Sequence, residues 1–229
     1  MRRTPLWASL PEADQELILP KLELLKAGAN ETIAAQGEGA QSLFYLLTGT
    51  VRLVRLDQNG RRIVSGFGFG GNLSADRGDF LGLGFDDVFP YSIEAVTDAA
   101  LWRFPRAELM ALNEGNLDLK EQISGMASQE YHRTQTHLDT IMEGAVQAKL
   151  ARFLLVLAER IGHADPGGTK VSLSMTRQDI ADHLWHSIES ISRAFTTLRD
   201  AELIGYQEDQ PHLVVFNKTS LSSIALDAD

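Results

Sequence analysis

The 229 residues are 44% hydrophobic and 23% charged, an ordinary globular balance that argues against wholesale disorder and suits two domains of roughly 100 to 140 residues. Cysteine is absent, which excludes disulfides, thiol nucleophiles and cysteine-ligated zinc or iron–sulfur sites. The net charge is −10, with 13 basic and 20 acidic residues through Val146 and 8 and 11 beyond it, so neither part (−7 and −3) attracts phosphate in bulk and any DNA contact rests on a few placed cations.

The basic start, Met1-Arg-Arg-Thr-Pro5, leads into no signal-like apolar segment, and the expected location is the cytoplasm. The longest apolar run, Phe153–Ala158, falls far short of the roughly 20 residues that span a bilayer, so no membrane partner is expected. The first 28 residues read as short helices broken at Leu10–Pro11 and Leu19–Pro20. From Ala29 to Phe104, short apolar runs separated by glycine-rich turns predict an antiparallel β domain. Leu43–Leu47 precedes Thr48-Gly-Thr50, and Val51–Leu56 mixes apolar and basic residues. Asp57-Gln-Asn-Gly60 is a hairpin turn in which Asn-Gly tolerates positive φ. Arg61–Phe69, Tyr91–Thr97 and Ala100–Phe104 are the later strands.

From Arg106 to about Met142 there is no proline, and the pattern becomes helical. Ala127, Tyr131, Thr134, Leu138 and Ile141 recur at spacings of four and three, a stripe of coiled-coil type that either packs on its own domain or forms a dimer seam. A long helix joining two small domains has few other places to bury it, which favours the seam and hence a homodimer. Leu119, Ile123 and Met126 form a second, rotated stripe. Ala148–Ile161 is a further amphipathic helix, stopped by Gly162 and the loop Asp165-Pro-Gly-Gly168. A strand follows at Val171–Leu173, then two helices, then a hairpin pairing Ile204–Gln207 with His212–Phe216 across Glu208-Asp-Gln-Pro211. The domains are therefore expected at 1–105, 106–146 and 147–229.

The two helices carry the functional signal. Thr176 with Asp179 is a capping-box arrangement, and Ile180, Ala181 and Leu184 mark the buried side. After the break Trp185-His-Ser187, Ser187 caps a second helix on which Ile188, Ile191, Phe195 and Leu198 share one face. Glu189, Ser192, Arg193 and Thr196 share another. A helix, a short turn and a second helix with a polar N-terminal face describe a helix-turn-helix, whose second helix enters the major groove. Arg193 suits a two-pronged contact to guanine, Glu189 accepts from the amine of cytosine or adenine, and Ser192 serves either polarity. Thr176, Arg177, Ser187 and Ser190 are expected beside them at the DNA. On spacing alone an exposed Glu189–Arg193 ion pair is an equally good reading, and the trailing hairpin, a wing, favours DNA.

Met175-Thr-Arg-Gln-Asp-Ile-Ala-Asp-His-Leu and Ile188-Glu-Ser-Ile-Ser-Arg-Ala-Phe resemble the recognition region of Crp/Fnr regulators, particularly the Fnr and FixK branch. The resemblance spans most of the chain. Leu25–Gly28, Gln36-Gly-Glu38 and Leu43–Val51 look like the early strands of the family's β-roll, Gly78-Asp-Phe-Leu-Gly82 like its ligand-side loop, and the long helix like its dimerisation helix. The resemblance implies an α+β chain: an N-terminal antiparallel β-roll (a cyclic-nucleotide-binding-like jelly roll), a dimerisation helix and a C-terminal winged helix-turn-helix. It also implies half-sites resembling TTGA, with RNA polymerase as a partner.

Three departures stand out. Cyclic-nucleotide-binding members of the family carry a glutamate after Gly-Asp-Phe-x-Gly and an Arg-Ser pair beyond it. Here the degenerate pocket has Gly82, Leu83, Tyr91 and Ser92, so cAMP is not expected to bind. The stretch Ser65–Arg77 is long, and its Gly66-Phe-Gly-Phe-Gly-Gly71 fits G-x-G-x-x-G with no following helix, which reads as a glycine-rich loop rather than a dinucleotide site. Trp185 stands where the family's turn usually has glycine.

Neither His183 with His186 nor the acidic pair Asp86–Asp87 makes a metal site, and no histidine precedes His132 to hold a haem from the β domain. No cofactor is required, although haem held by other ligands or a small effector is compatible with the sequence. No catalytic constellation is present. The alternative to a DNA-binding regulator is a ligand-sensing β-roll protein whose last module binds a protein partner.

Overall fold

The structure, a computed structural model, describes residues 7, 10–71, 78–82, 87–207 and 210–226. It divides into two compact units, Met1–Arg133 and Thr134–Asp229. The architecture is α+β, as expected, with two antiparallel sheets before a long helix and a winged helix-turn-helix after it.

The first unit opens with α1 (Glu12–Ile18) and a 3-10 turn (Leu19–Lys21) that starts at the expected proline break. Glu23–Ala27, helical by local pattern although Leu25–Gly28 resembles an early strand of the β-roll, is strand β1. Pairing with Ala99–Arg103 overrides the helical preference of its Glu-Leu-Leu-Lys-Ala sequence. The chain continues through β2 (Thr32–Ala34), β3 (Ser42–Thr48), β4 (Thr50–Leu56), β5 (Arg62–Phe69), β6 (Phe80–Leu81), β7 (Ser92–Ala95) and β8 (Ala99–Pro105). One four-stranded sheet has the order β1-β8-β3-β6 and another β2-β7-β4-β5.

The unbroken apolar run of β3 follows from burial on both faces. Phe44 and Leu46 point between the sheets, into a core with Val51, Leu53, Ile93, Ala95 and Leu101. Leu43 and Tyr45, on the other pleat, pack with Phe104 of β8 and with Ile18, Leu109, Leu119 and Ile123 from the flanking helices. In β5 a bulge at Ser65 shifts the register opposite Leu53 and Val54, both of which are buried, while Leu56 at the end of β4 is exposed.

Gly66–Phe69 belongs to β5, as the reading of Arg61–Phe69 as a strand has it and against the reading of the glycine run as a loop. The glycine is a packing requirement: a Cβ at Gly68 would lie 2.8 Å from Val51 Cγ2 and 3.1 Å from Leu81 Cδ2. Residues 72–77 of the same stretch, together with Leu83, Asp86 and the 208–209 part of the terminal turn, lie outside the described residues.

The helical stretch after β8 divides at Asn116, which adopts an extended backbone (φ −119°, ψ 107°) and accepts a hydrogen bond from Leu119 N at 2.9 Å. It separates α2 (Arg106–Gly115) from α3 (Leu117–Met142).

The second unit begins within α3 and continues with α4 (Val146–Ile161), β9 (His163–Asp165), β10 (Gly168–Ser172), α5 (Arg177–Leu184), α6 (Ile188–Asp200), β11 (Gly205–Gln207), β12 (Gln210–Phe216) and α7 (Lys218–Leu226). The strands form one antiparallel sheet in the order β11-β12-β10-β9. Leu150, Ala151, Leu154 and Leu157 of α4 are buried, as are Ile191, Ala194, Phe195 and Leu198 of α6. Ile188, expected on that face, is 38% exposed, and Ala194 takes its place in the core. Helix α7, unanticipated in the sequence, packs on α4 through Leu221 and Ala225.

Candidate nucleic-acid interface

Helix α5 starts at a complete capping box. Thr176 Oγ1 accepts from Asp179 N at 3.1 Å, and the Asp179 carboxylate accepts from Thr176 N at 3.1 Å. The helix stops at Trp185, whose backbone is left-handed (φ 61°, ψ 40°), with the Trp185 and His186 N–H groups both returning to the Ala181 carbonyl. A side chain in this conformation costs about 1–2 kcal/mol, so the turn keeps the geometry of glycine without having one. Ser187 then caps α6, its Oγ accepting from Ser190 N at 3.2 Å and donating to Ser190 Oγ at 2.9 Å.

The first turns of α6 present Glu189, Ser192, Arg193 and Thr196 to solvent, while the opposite face is buried. Among the described residues neither Glu189 nor Arg193 takes part in a salt bridge. The competing i,i+4 ion pair is therefore not formed, and both charged ends are available to a ligand. Thr176 is exposed and Arg177 half-buried.

The C-terminal part of α3 is tied to this module. His137 stacks on His183 of α5 with ring centroids 4.0 Å apart and planes 10° apart, and Phe153 of α4 tilts against the same ring at 5.3 Å. Lys149 Nζ donates to the Ile141 carbonyl at 2.6 Å, and Arg152 donates to Glu143 O at 3.0 Å and to Ala225 O at 2.8 Å. These cations sit on carbonyls that the end of a helix leaves without intrahelical partners.

Burial lowers the pKa of His137, while His186 is lowered by burial first and by the Lys149 ammonium second. Both groups take a proton less readily folded than unfolded. Their contribution to stability is whole above the unfolded value of about 6.5 and is lost as pH falls from there through the depressed folded values. Thermal melts should therefore show the wild type losing stability between about pH 7.5 and pH 5.5, and His137→Phe losing less over that interval. An equal loss in the two proteins would remove His137 as a source.

Of the predicted seam, Tyr131 is 67% and Leu138 40% exposed, Thr134 is exposed, and Ala127 and Ile141 are half-buried. Leu117 and Met142 add 71% and 78% exposed apolar side chains to the same helix. Leu119, Ile123 and Met126 pack into their own unit instead.

In the β-roll, Tyr91 packs against the core that holds Phe44 and Phe89. Its hydroxyl pKa is raised by burial first and by Glu130 next, with the Gly82 backbone and Arg106 acting the other way. Ser92 Oγ accepts from Gln36 N at 3.0 Å, and the Gly82 carbonyl accepts from Arg106.

Residues 148–224 match the Crp-like helix-turn-helix domain and residues 24–116 the cyclic nucleotide-binding domain. The FixK nitrogen fixation regulation protein of Rhizobium meliloti is 34% identical over 178 residues, covering 77% of this chain and 75% of that protein. The chain belongs to the Crp/Fnr family, in its FixK branch. Membership makes it a transcription regulator with a helix-turn-helix DNA-binding domain, and not an enzyme. The transcriptional activatory protein AadR of Rhodopseudomonas palustris is 28% identical over 204 residues, covering 89% of this chain and 82% of that protein. Among solved structures, FixK2 from Bradyrhizobium japonicum superposes with a TM-score of 0.80 at 23% identity, covering 91% of this chain and 99% of that one, a likeness of fold. No helix among the described residues is long and apolar enough to cross a membrane.

Proposed function

We propose that this Crp/Fnr chain is a homodimeric, cytoplasmic regulator that reads a two-fold TTGA-type DNA site without needing a cyclic nucleotide. In this reading a β-roll over 1–105 is joined by a dimerisation segment over 106–146 to a winged DNA-binding domain over 147–229, and RNA polymerase is the partner at the promoter. The observation that carries it is the first half of α6, where Glu189, Ser192 and Arg193 stand exposed and unpaired with one another on a helix whose other face is buried. Those side chains match the guanine, amine-bearing and ambivalent edges of the major groove. A gel shift with a TTGA-N6-TCAA duplex against a scrambled duplex, at one stated salt concentration, tests it. Equal affinity for the two duplexes would sink the base-reading assignment, and a lack of binding to either would favour a module that binds a protein partner.

Cyclic nucleotides are expected to leave this DNA affinity unchanged. Tyr91 stands where cyclic-nucleotide-binding relatives have a cation for the phosphate, and both it and the neighbouring Ser92 are engaged with the roll itself. Calorimetry should detect no micromolar cAMP or cGMP site. Such a site, with a matching gain in DNA binding, would overturn the reading.

A further inference from the structure

At the first residue of α5 a cation faces the positive end of the helix dipole, and a basic side chain there looks from sequence like a phosphate contact. The structure engages it elsewhere. The Arg177 guanidinium carbon lies 3.4 Å from the centroid of the Phe195 ring, and its Nη2 donates to the Tyr206 hydroxyl at 3.1 Å. Phe195 is a buried residue of α6, one turn after Ser192, and Tyr206 is the central residue of β11, paired with Val214 of β12 in the wing. One planar group thus touches the reading helix on its face and the wing at its edge, while its own backbone begins the first helix of the motif.

We infer that Arg177 is a positioning residue that locks α6 against the wing, so that Glu189, Ser192 and Arg193 reach the bases in one orientation. The flat guanidinium is what the site needs. A lysine ammonium keeps the charge but cannot lie face to face on Phe195 and still reach the Tyr206 hydroxyl. Burial pushes the Arg177 pKa down and the Tyr206 hydroxyl pushes it back up, consistent with a cation held by the protein.

This inference rests on α6 reading DNA, and the test separates the two. The full-length wild type, Arg177→Lys and Tyr206→Phe are titrated against the wild type's preferred duplex and a random duplex over a series of salt concentrations, at a temperature where melts show all three folded. If Arg177 positions α6, Arg177→Lys lowers the specific-to-random ratio about tenfold. Tyr206→Phe, which changes no charge, lowers it in the same direction by a smaller factor. The slope of log affinity against log salt stays at its wild-type value in both. A ratio that both variants leave untouched overturns the inference, whether or not their melting temperatures fall. So does an Arg177→Ala protein whose salt slope drops by about one per half-site with its base preference intact, the signature of a phosphate contact. A wild type with no preferred duplex overturns the base-reading function and this inference together.

Discussion

Leu138→Glu is expected to make the protein monomeric while both units stay folded. Leu138 is 40% exposed on α3, so a carboxylate there remains solvated in the isolated chain. In a dimer joined along Tyr131, Leu138 and Ile141, two-fold symmetry would bury the same charge on both sides with no cation opposite. Each ion would then cost several kcal/mol, enough to weaken association at least about a thousandfold. Light scattering should report half the wild-type mass, and a duplex with two half-sites should lose its tight binding. A Leu138→Glu protein that stayed dimeric would remove the stripe from the interface.

Arg193→Ala is expected to cost about 1–3 kcal/mol in each half-site, hence about 2–6 kcal/mol for a dimer on a two-fold site. That is a loss of about thirtyfold to more than ten-thousandfold. Arg193 is exposed and outside any salt bridge among the described residues, so its removal leaves no buried partner behind and the loss reports on DNA alone. Discrimination at the contacted base pair should relax in both halves. Glu189→Ala behaves differently: deleting an acid near phosphates raises affinity for random DNA while erasing preference at the base it reads. Titrations against single-base variants of the duplex separate the two effects. If Arg193→Ala weakened specific and random DNA equally and kept its base preference, Arg193 would be a phosphate contact and the TTGA assignment would have to be withdrawn.

The architecture was legible in the sequence wherever a local rule and the tertiary fold agree. Asn59-Gly60 marked its hairpin, the Thr176–Asp179 capping box marked the start of α5, and the buried stripe of α6 was read with Ile188 as the one misplaced member. The misreadings occur where tertiary contact overrules local preference. The Gly66–Phe69 segment reads both as the end of a strand and, because glycine weakens strands, as a loop, and β5 needs glycine where Val51 and Leu81 close in on it. β1 looks helical by local pattern until β8 is beside it, and only the family resemblance of Leu25–Gly28 marks it as a strand beforehand. α7, with three serines in its nine residues, carries too weak an apolar pattern to stand out before α4 covers it. Asn116, by contrast, is a capping residue type whose break in the helical run was available to sequence reasoning. The exposed side chains of the reading helix could be listed from spacing, whereas the engagement of Arg177 with Phe195 and Tyr206, positions 18 and 29 residues later, required the fold.

The cations at the end of α3 also bear on its rotational phase. Lys149 and Arg152 hold the Ile141 and Glu143 carbonyls, and His137 lies flat on His183, so the last turns of α3 cannot spin about their axis without breaking these contacts. An α-helix advances about 100° and 1.5 Å for each residue. A single residue inserted between Leu138 and Ile141 would therefore force a choice: either His137 leaves His183 and Leu138 swings by more than a quarter of a turn relative to the module, or the Lys149 and Arg152 contacts break. If the seam is formed as proposed, its Leu138–Ile141 part shares one angular register with the reading helix of the same unit, and the length of this segment, counted in whole residues, would set the geometry of the DNA site as firmly as the identity of any base-contacting side chain.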